Sequence, residues 1–155
     1  MALNDQLRML YRQVILENAQ NPRNRGEIDN ADRQTTIYNP SCGDKLHLTL
    51  KLSDDQKVIK QIAFEGQGCT ISQASASLMT TLMTGKSQDE AIRLSKLFSD
   101  LAMGHEHPEE EIDQLKDAKI LTSIMEFPAR IKCATLAWWG LDRMLLGESK
   151  ENEND

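Results

Sequence analysis

Residues 39–52 read NPSCGDKLHLTLKL, and the second half of this stretch decides the fold. Leu46, Leu48, Leu50 and Leu52 alternate with Lys45, His47, Thr49 and Lys51. A period of two puts the leucines on one face of an extended chain and the polar residues on the other. Such a half-buried strand belongs to an antiparallel sheet with one face on the core. Its neighbours follow the same logic. The β-branched run QTTIY at 34–38 reads as the preceding strand. Beyond an SDDQK turn at 53–57, Val58, Ile62 and Phe64 keep the two-residue period.

Helical periodicity occupies the rest of the chain. Leu7, Leu10, Tyr11, Val14 and Ile15 follow the i, i+3, i+4, i+7, i+8 rule, with Arg8 and Arg12 on the other side and NPRNRG at 21–26 as the stop. Ile71, Ala74, Leu78 and Leu82 form one stripe that ends near Gly85. The charged segment 87–118, broken at GHEHP, predicts one or two shorter helices and a solvated loop. A last helix is predicted from about Arg130 to Leu146, with Trp138, Leu141 and Leu145 inward and Gly147 as its stop. Strands first and helices afterwards imply an α+β fold: a small antiparallel three-stranded sheet with helices packed on one face. A single domain over 1–147 is expected, and the polar ESKENEND at 148–155 is expected to be a disordered tail.

A chain of 155 residues can bury a sizeable core without disulfides or a structural metal. Its 18 basic and 24 acidic residues give a net charge of −6, which argues against nucleic acid or an anionic membrane surface as partner. No apolar run approaches the roughly 18 residues of a membrane span, and the N-terminus lacks a signal-peptide core, so a cytoplasmic protein is expected. Three cysteines are a poor disulfide framework and read as free thiols or metal ligands.

Each cysteine falls at a predicted element end. Cys42 opens the second strand, Cys69 follows EGQG where the third strand gives way to a helix, and Cys133 lies in the first predicted turn of the last helix. Unsatisfied N–H groups at a helix N-terminus favour a thiolate, which would apply to Cys69 and Cys133. Asp44 shares a side of the extended chain with Cys42. Cys42, Asp44, Cys69 and Cys133 therefore make a candidate set of three sulfurs and an oxygen. The same residues also read as small buried hydrophobes and ordinary turn chemistry, and the pattern leaves both readings open. His105 and His107 have an H-x-H spacing that can hold a metal, but His107 precedes Pro108 and an acidic run, as at the start of a solvated helix. His47 falls on the polar strand face. Met79, Met83 and SQASAS at 72–77 read as core packing, and GQG at 66–68 lacks the neighbours of a phosphate loop. No histidine adjoins a cysteine, which ranks an independent thiol enzyme last.

NPRNRG, NPSCGD, FEGQGCTISQASASLM (64–79) and FPARIKCATLAW (127–138) together resemble, in order, the SufU/IscU-type proteins of iron–sulfur cluster assembly. The likeness runs to about Leu146 and is nearest to the zinc-dependent SufU branch. The interval between Cys69 and Cys133 is long, as if residues around 87–110 were inserted, and Lys132 stands where an IscU scaffold carries a histidine. The resemblance implies an α+β fold with zinc held by Cys42, Asp44, Cys69 and Cys133. It further implies a sulfurtransferase that takes persulfide sulfur from a pyridoxal-phosphate cysteine desulfurase (SufS-like) and passes it to downstream cluster assembly proteins. The alternative it implies is a scaffold on which iron or a [2Fe–2S] cluster is assembled. Cys42 is then the expected sulfur acceptor, and Arg130 is assigned to tuning the site or docking. Three thiolates and a carboxylate against a divalent ion leave the site formally −2.

Overall fold

The computed structural model describes residues 5–41 and 43–147. Helix α1 (Asp5–Gln20) precedes strands β1 (Arg33–Asn39), β2 (Asp44–Leu52) and β3 (Ile59–Gln67), and helices α2 (Thr70–Met83), α3 (Gln88–Ala102), α4 (Glu109–Ile112) and α5 (Pro128–Leu146) follow, with a 3-10 stretch, Asp113–Glu126, before the last. This is the α+β arrangement expected. The sheet is antiparallel in the order β1-β2-β3, and the four leucines of β2 point into the core. On the outer face, the segment after α1 pairs with the edge of β3 through Gly26 N–H to Phe64 O at 2.7 Å. It then crosses to Thr49, whose hydroxyl accepts the N–H of Ile28 at 3.1 Å. Helices cover one face and this short crossing covers the middle of the other.

One expectation about β3 is corrected. Lys51 pairs with Gln61 but Leu52 pairs with Ile59, so Lys60 is an extra residue and the strand carries a bulge. A one-residue slip flips a strand's faces. Ile59, not Val58, therefore points inward, and Val58 stays outside the strand in an isolated bridge to Ser87. Within α1, Ile15 is buried while Leu10 faces out, because only one narrow side of this helix meets α2.

Helix α2 is buried nearly all round rather than along one stripe. Its small residues allow this. Ala74 and Ala76 admit close neighbours, and each buried serine finds a partner, as burial requires. Ser77 donates to Asn18 Oδ1 at 2.7 Å, tying α2 to α1. Ser75 donates to Ala134 O and accepts the indole N–H of Trp138 at 2.9 Å, tying α2 to α5. Where α5 crosses the sheet, Gly140 makes the approach possible: a Cβ there would lie 2.7 Å from Leu48 Cδ1.

Helix α5 starts at Pro128, two residues before the expected point, with proline in the first turn, where its missing N–H removes nothing from the helix. It ends at Gly147 in the left-handed region (φ 77°), as expected. The charged segment folds as α3, the short α4 and the start of the 3-10 stretch. That stretch carries no clear period in the sequence; it breaks at Lys116 (φ 55°) and still buries Leu115, Ala118, Ile120 and Leu121. The expected tail at 148–155 lies outside the described residues.

Helix α3 is part of the core rather than a solvated appendage. Ala91, Leu94, Leu97 and Phe98 are buried, and the Phe98 ring stacks on Trp138 with centroids 3.9 Å apart and planes 6° from parallel. Phe98→Ala is expected to destabilise the chain by about 3–5 kcal/mol, the usual range for emptying a buried aromatic site. Urea unfolding checks this, and a loss under about 1 kcal/mol would show that α3 docks only loosely.

Candidate metal centre

Three of the four candidate ligands meet at one end of the sheet. Oxygen of Asp44 and the sulfurs of Cys69 and Cys133 all lie within 4.8 Å of one another. A tetrahedral zinc ion with metal–sulfur bonds of about 2.3 Å holds its ligand atoms roughly 3.8 Å apart, so one ion is within reach of all three. Cys42 lies outside the described residues.

The three come from different elements, each held for a local reason. Asp44 is the first residue of β2 and pairs with Asn39 across the hairpin. Cys69 is the N-cap of α2, with no side-chain capping bond of its own. Its backbone N–H donates to Asp44 Oδ1 at 2.8 Å, and its carbonyl accepts from Ser72 Oγ at 3.1 Å. Cys133 corrects an expectation: because α5 begins at Pro128, the cysteine sits in the second turn, beyond the free N–H groups of the helix end. It is fully buried, whereas Cys69 is partly exposed.

The chemistry of this set fits a soft divalent cation. Asp44 is 2% exposed, and among the described residues no lysine or arginine forms an ion pair with it. A buried carboxylate beside two cysteines is a costly arrangement unless a cation offsets it. Sulfur donors with one carboxylate suit zinc or iron rather than magnesium or calcium.

Sequence reasoning passed over Gly68, whose role is steric. A methyl group there would lie 2.6 Å from Asp44 Oδ1 and 2.3 Å from Ser72 Oγ. Glycine therefore lets the carboxylate lie against the start of α2. Gly68→Ala is expected to weaken zinc binding by about 10–100-fold, the usual effect of disturbing groups that orient ligands. Competition with a chromophoric chelator measures it, and unchanged zinc retention would mean that Asp44 is not held there.

Arg130 lies on the surface at the start of α5. It lines an open cleft of about 710 Å³ together with Cys69, Thr70, Ile71, Ile124, Phe127 and Ala129. The cleft puts a cation and an exposed aromatic ring on the solvent side of Cys69. Phe127 was passed over in the sequence because a lone aromatic before proline carries no periodic signal. Lys132 is exposed as well.

The histidines gather elsewhere. His107 is clasped by Glu111 at 2.8 Å on Nδ1 and by Asp100 at 3.0 Å on Nε2, so both ring nitrogens are engaged and α3 is pinned to α4. His105 is exposed. The Glu111 carboxylate first, then Asp100, holds the His107 pKa above its ordinary value of 6.5. A raised folded pKa contributes stability that is fully present below the unfolded value and is lost as pH rises through the folded one. The His107 NMR titration midpoint is accordingly expected above 6.5 and should fall in Glu111→Gln. A wild-type midpoint at or below the ordinary value would mean that the clasp is not formed in solution. His47 sits on the outer sheet face, where Nδ1 meets Thr36 Oγ1 at 2.8 Å.

Comparison with known proteins places this geometry in context. The profile of the NifU-like N-terminal domain matches residues 10–134. The Bacillus subtilis protein named zinc-dependent sulfurtransferase SufU is 44% identical over 152 residues, spanning 98% of this chain and 100% of that one. A Streptococcus pyogenes protein named iron–sulfur cluster assembly scaffold protein IscU is 42% identical over 138 residues, spanning 89% of this chain and 83% of that one. Among solved structures, FiSufU of the Fervidobacterium islandicum SUF system superposes with a TM-score of 0.76 at 31% identity, covering 88% of this chain and 97% of that one.

Proposed function

The chain belongs to the NifU-like N-terminal domain family of iron–sulfur cluster assembly, and on that premise we propose that it is a zinc-dependent sulfur acceptor serving a cysteine desulfurase. The observation that carries this reading is the convergence of Asp44, Cys69 and Cys133 within 4.8 Å, a sulfur-rich set around a buried carboxylate. The full-length similarity to a protein named as a zinc-dependent sulfurtransferase supports it. Cys42, two positions before Asp44 in the sequence, is assigned as the fourth ligand and as the sulfur acceptor.

Bound zinc would supply a positive charge that keeps the cysteines deprotonated near neutral pH. The chain's own residues do the rest. The Cys42 thiolate attacks the outer sulfur of the desulfurase's cysteine persulfide. The donor's S–S bond breaks, the donor cysteine leaves as a thiolate, and Cys42 carries the new persulfide. The oxidation level passes from one cysteine to the other with no outside oxidant. Asp44, fixed through the Cys69 N–H, anchors the start of the strand that follows Cys42 in the sequence. Arg130, at the cleft beside Cys69, attracts the anionic persulfide or steadies the docked partner. The donor is a pyridoxal-phosphate enzyme of the SufS type, the recipients are later cluster assembly proteins, and the setting is the cytoplasm. Among the described residues no helix is long and apolar enough to cross a membrane.

A second reading, in which the chain is a scaffold and the cluster is its cargo, is favoured by the relative named as a scaffold at 42% identity. Metal analysis of the purified protein, with desulfurase turnover before and after metal stripping, separates the two. One zinc per chain and strong stimulation lost on stripping are expected. Little zinc, no stimulation and stoichiometric uptake of iron and sulfide would overturn the first reading in favour of the second. Cys42→Ala should abolish sulfur acceptance and leave the fold largely intact; normal acceptance would move the role to another cysteine.

A further inference from the structure

Asn39 ends β1 and is paired with Asp44, so the two side chains leave the hairpin on the same face. It is buried, with 4% exposure. Its amide nitrogen lies 3.4 Å from Asp44 Oδ2 and 3.9 Å from Cys133 Sγ. Both neighbours are electron-rich acceptors, so the amide must present its nitrogen to them; the carbonyl end would be repelled. The two N–H groups of one side chain thus serve two different candidate ligands. The other oxygen of Asp44 is taken by the Cys69 N–H at 2.8 Å, which leaves Asn39 to fix the second oxygen from the opposite side.

We infer that Asn39 is a positioning residue of the metal centre, holding the Asp44 carboxylate in place and drawing electron density from the Cys133 sulfur. This rests on the metal-binding reading proposed above. A carboxylate tied at one oxygen only can still swing about that bond; a second donor from a different element removes that freedom. The reach to sulfur adds an electronic effect, since a hydrogen bond to a thiolate lowers its donor strength toward a metal. A buried asparagine kept only to close the hairpin would direct its donors to backbone carbonyls of the turn. Here both are directed at ligand atoms.

The test compares wild type with Asn39→Leu, which has similar volume and no donor, and with Asn39→Ala, which is read if the leucine variant does not fold. Cobalt(II) replaces zinc in each, and zinc affinity is measured by chelator competition. The expected result is a shift of the sulfur-to-cobalt charge-transfer band to longer wavelength, because the thiolate becomes a stronger donor, together with about 10–100-fold weaker zinc binding. A folded variant with lowered urea stability but an unchanged band and affinity would overturn the inference and leave Asn39 with a structural role alone. Wild-type protein that takes up cobalt without any thiolate charge-transfer band would instead defeat the metal-binding reading, so the two failures are told apart.

Discussion

A carboxylate buried as deeply as that of Asp44 must be met by donors or by a cation, because leaving it bare in the interior costs several kcal/mol. The surrounding structure meets it with two donors and the room to reach them. The helix α2 N-cap supplies the Cys69 N–H, the end of β1 supplies the Asn39 amide, and Gly68 leaves the space through which the carboxylate reaches them. Strand, hairpin and helix are tied at one point. A buried carboxylate beside two sulfurs is the chemical reason for proposing a metal there. The sulfurs are not a separate feature laid over the fold; Cys69 is itself the residue whose backbone anchors the carboxylate.

The rest of the molecule holds the third candidate ligand in register. Cys133 is carried by α5, which is fixed over the sheet where Gly140 allows close approach and fixed to α2 through the Ser75 relay between Ala134 and Trp138. Phe98 stacks on the far side of that indole. Helix α3, part of the charged segment 87–118, therefore braces the helix that carries a candidate ligand. Small residues along α2 make this economy possible. A larger side chain at Ser75 would both separate the helices and break the relay.

The architecture, and the residues that meet at Asp44, Cys69 and Cys133, left local traces: leucines at a period of two, an i, i+4 stripe, a glycine stop, a cysteine at a strand-to-helix junction. What escaped was set by tertiary context. The bulge at Lys60 exchanges Val58 for Ile59, and neither residue's own chemistry announces it. The 3-10 stretch is held by burial of Leu115, Ile120 and Leu121, whose spacing matches no regular period. The shift of the α5 start to Pro128 moves Cys133 by only two positions, yet it removes the helix-end argument for that thiol and leaves its proximity to Asp44 as the reason to regard it as a ligand. Gly68 and Asn39 matter only through what lies across the fold from them.

Burial also divides the labour among the cysteines. A persulfide delivered by another protein must reach the sulfur that accepts it, and the fully buried Cys133 cannot be reached without opening α5 from the core. In the proposed mechanism its part is to hold the site together. Cys69 is partly exposed on a cleft with room for an incoming group, but its backbone is bound on both sides, to Asp44 and to Ser72. A new sulfur adds about 2 Å to a side chain, and at this N-cap the extension must be accommodated without moving the backbone that fixes Asp44. Gly43, between β1 and β2, adopts a left-handed conformation (φ 73°) open to glycine at little cost. A persulfide on Cys42, the residue before Gly43 in the sequence, would leave the Cys69 backbone that fixes Asp44 undisturbed, which favours the proposed assignment of the acceptor.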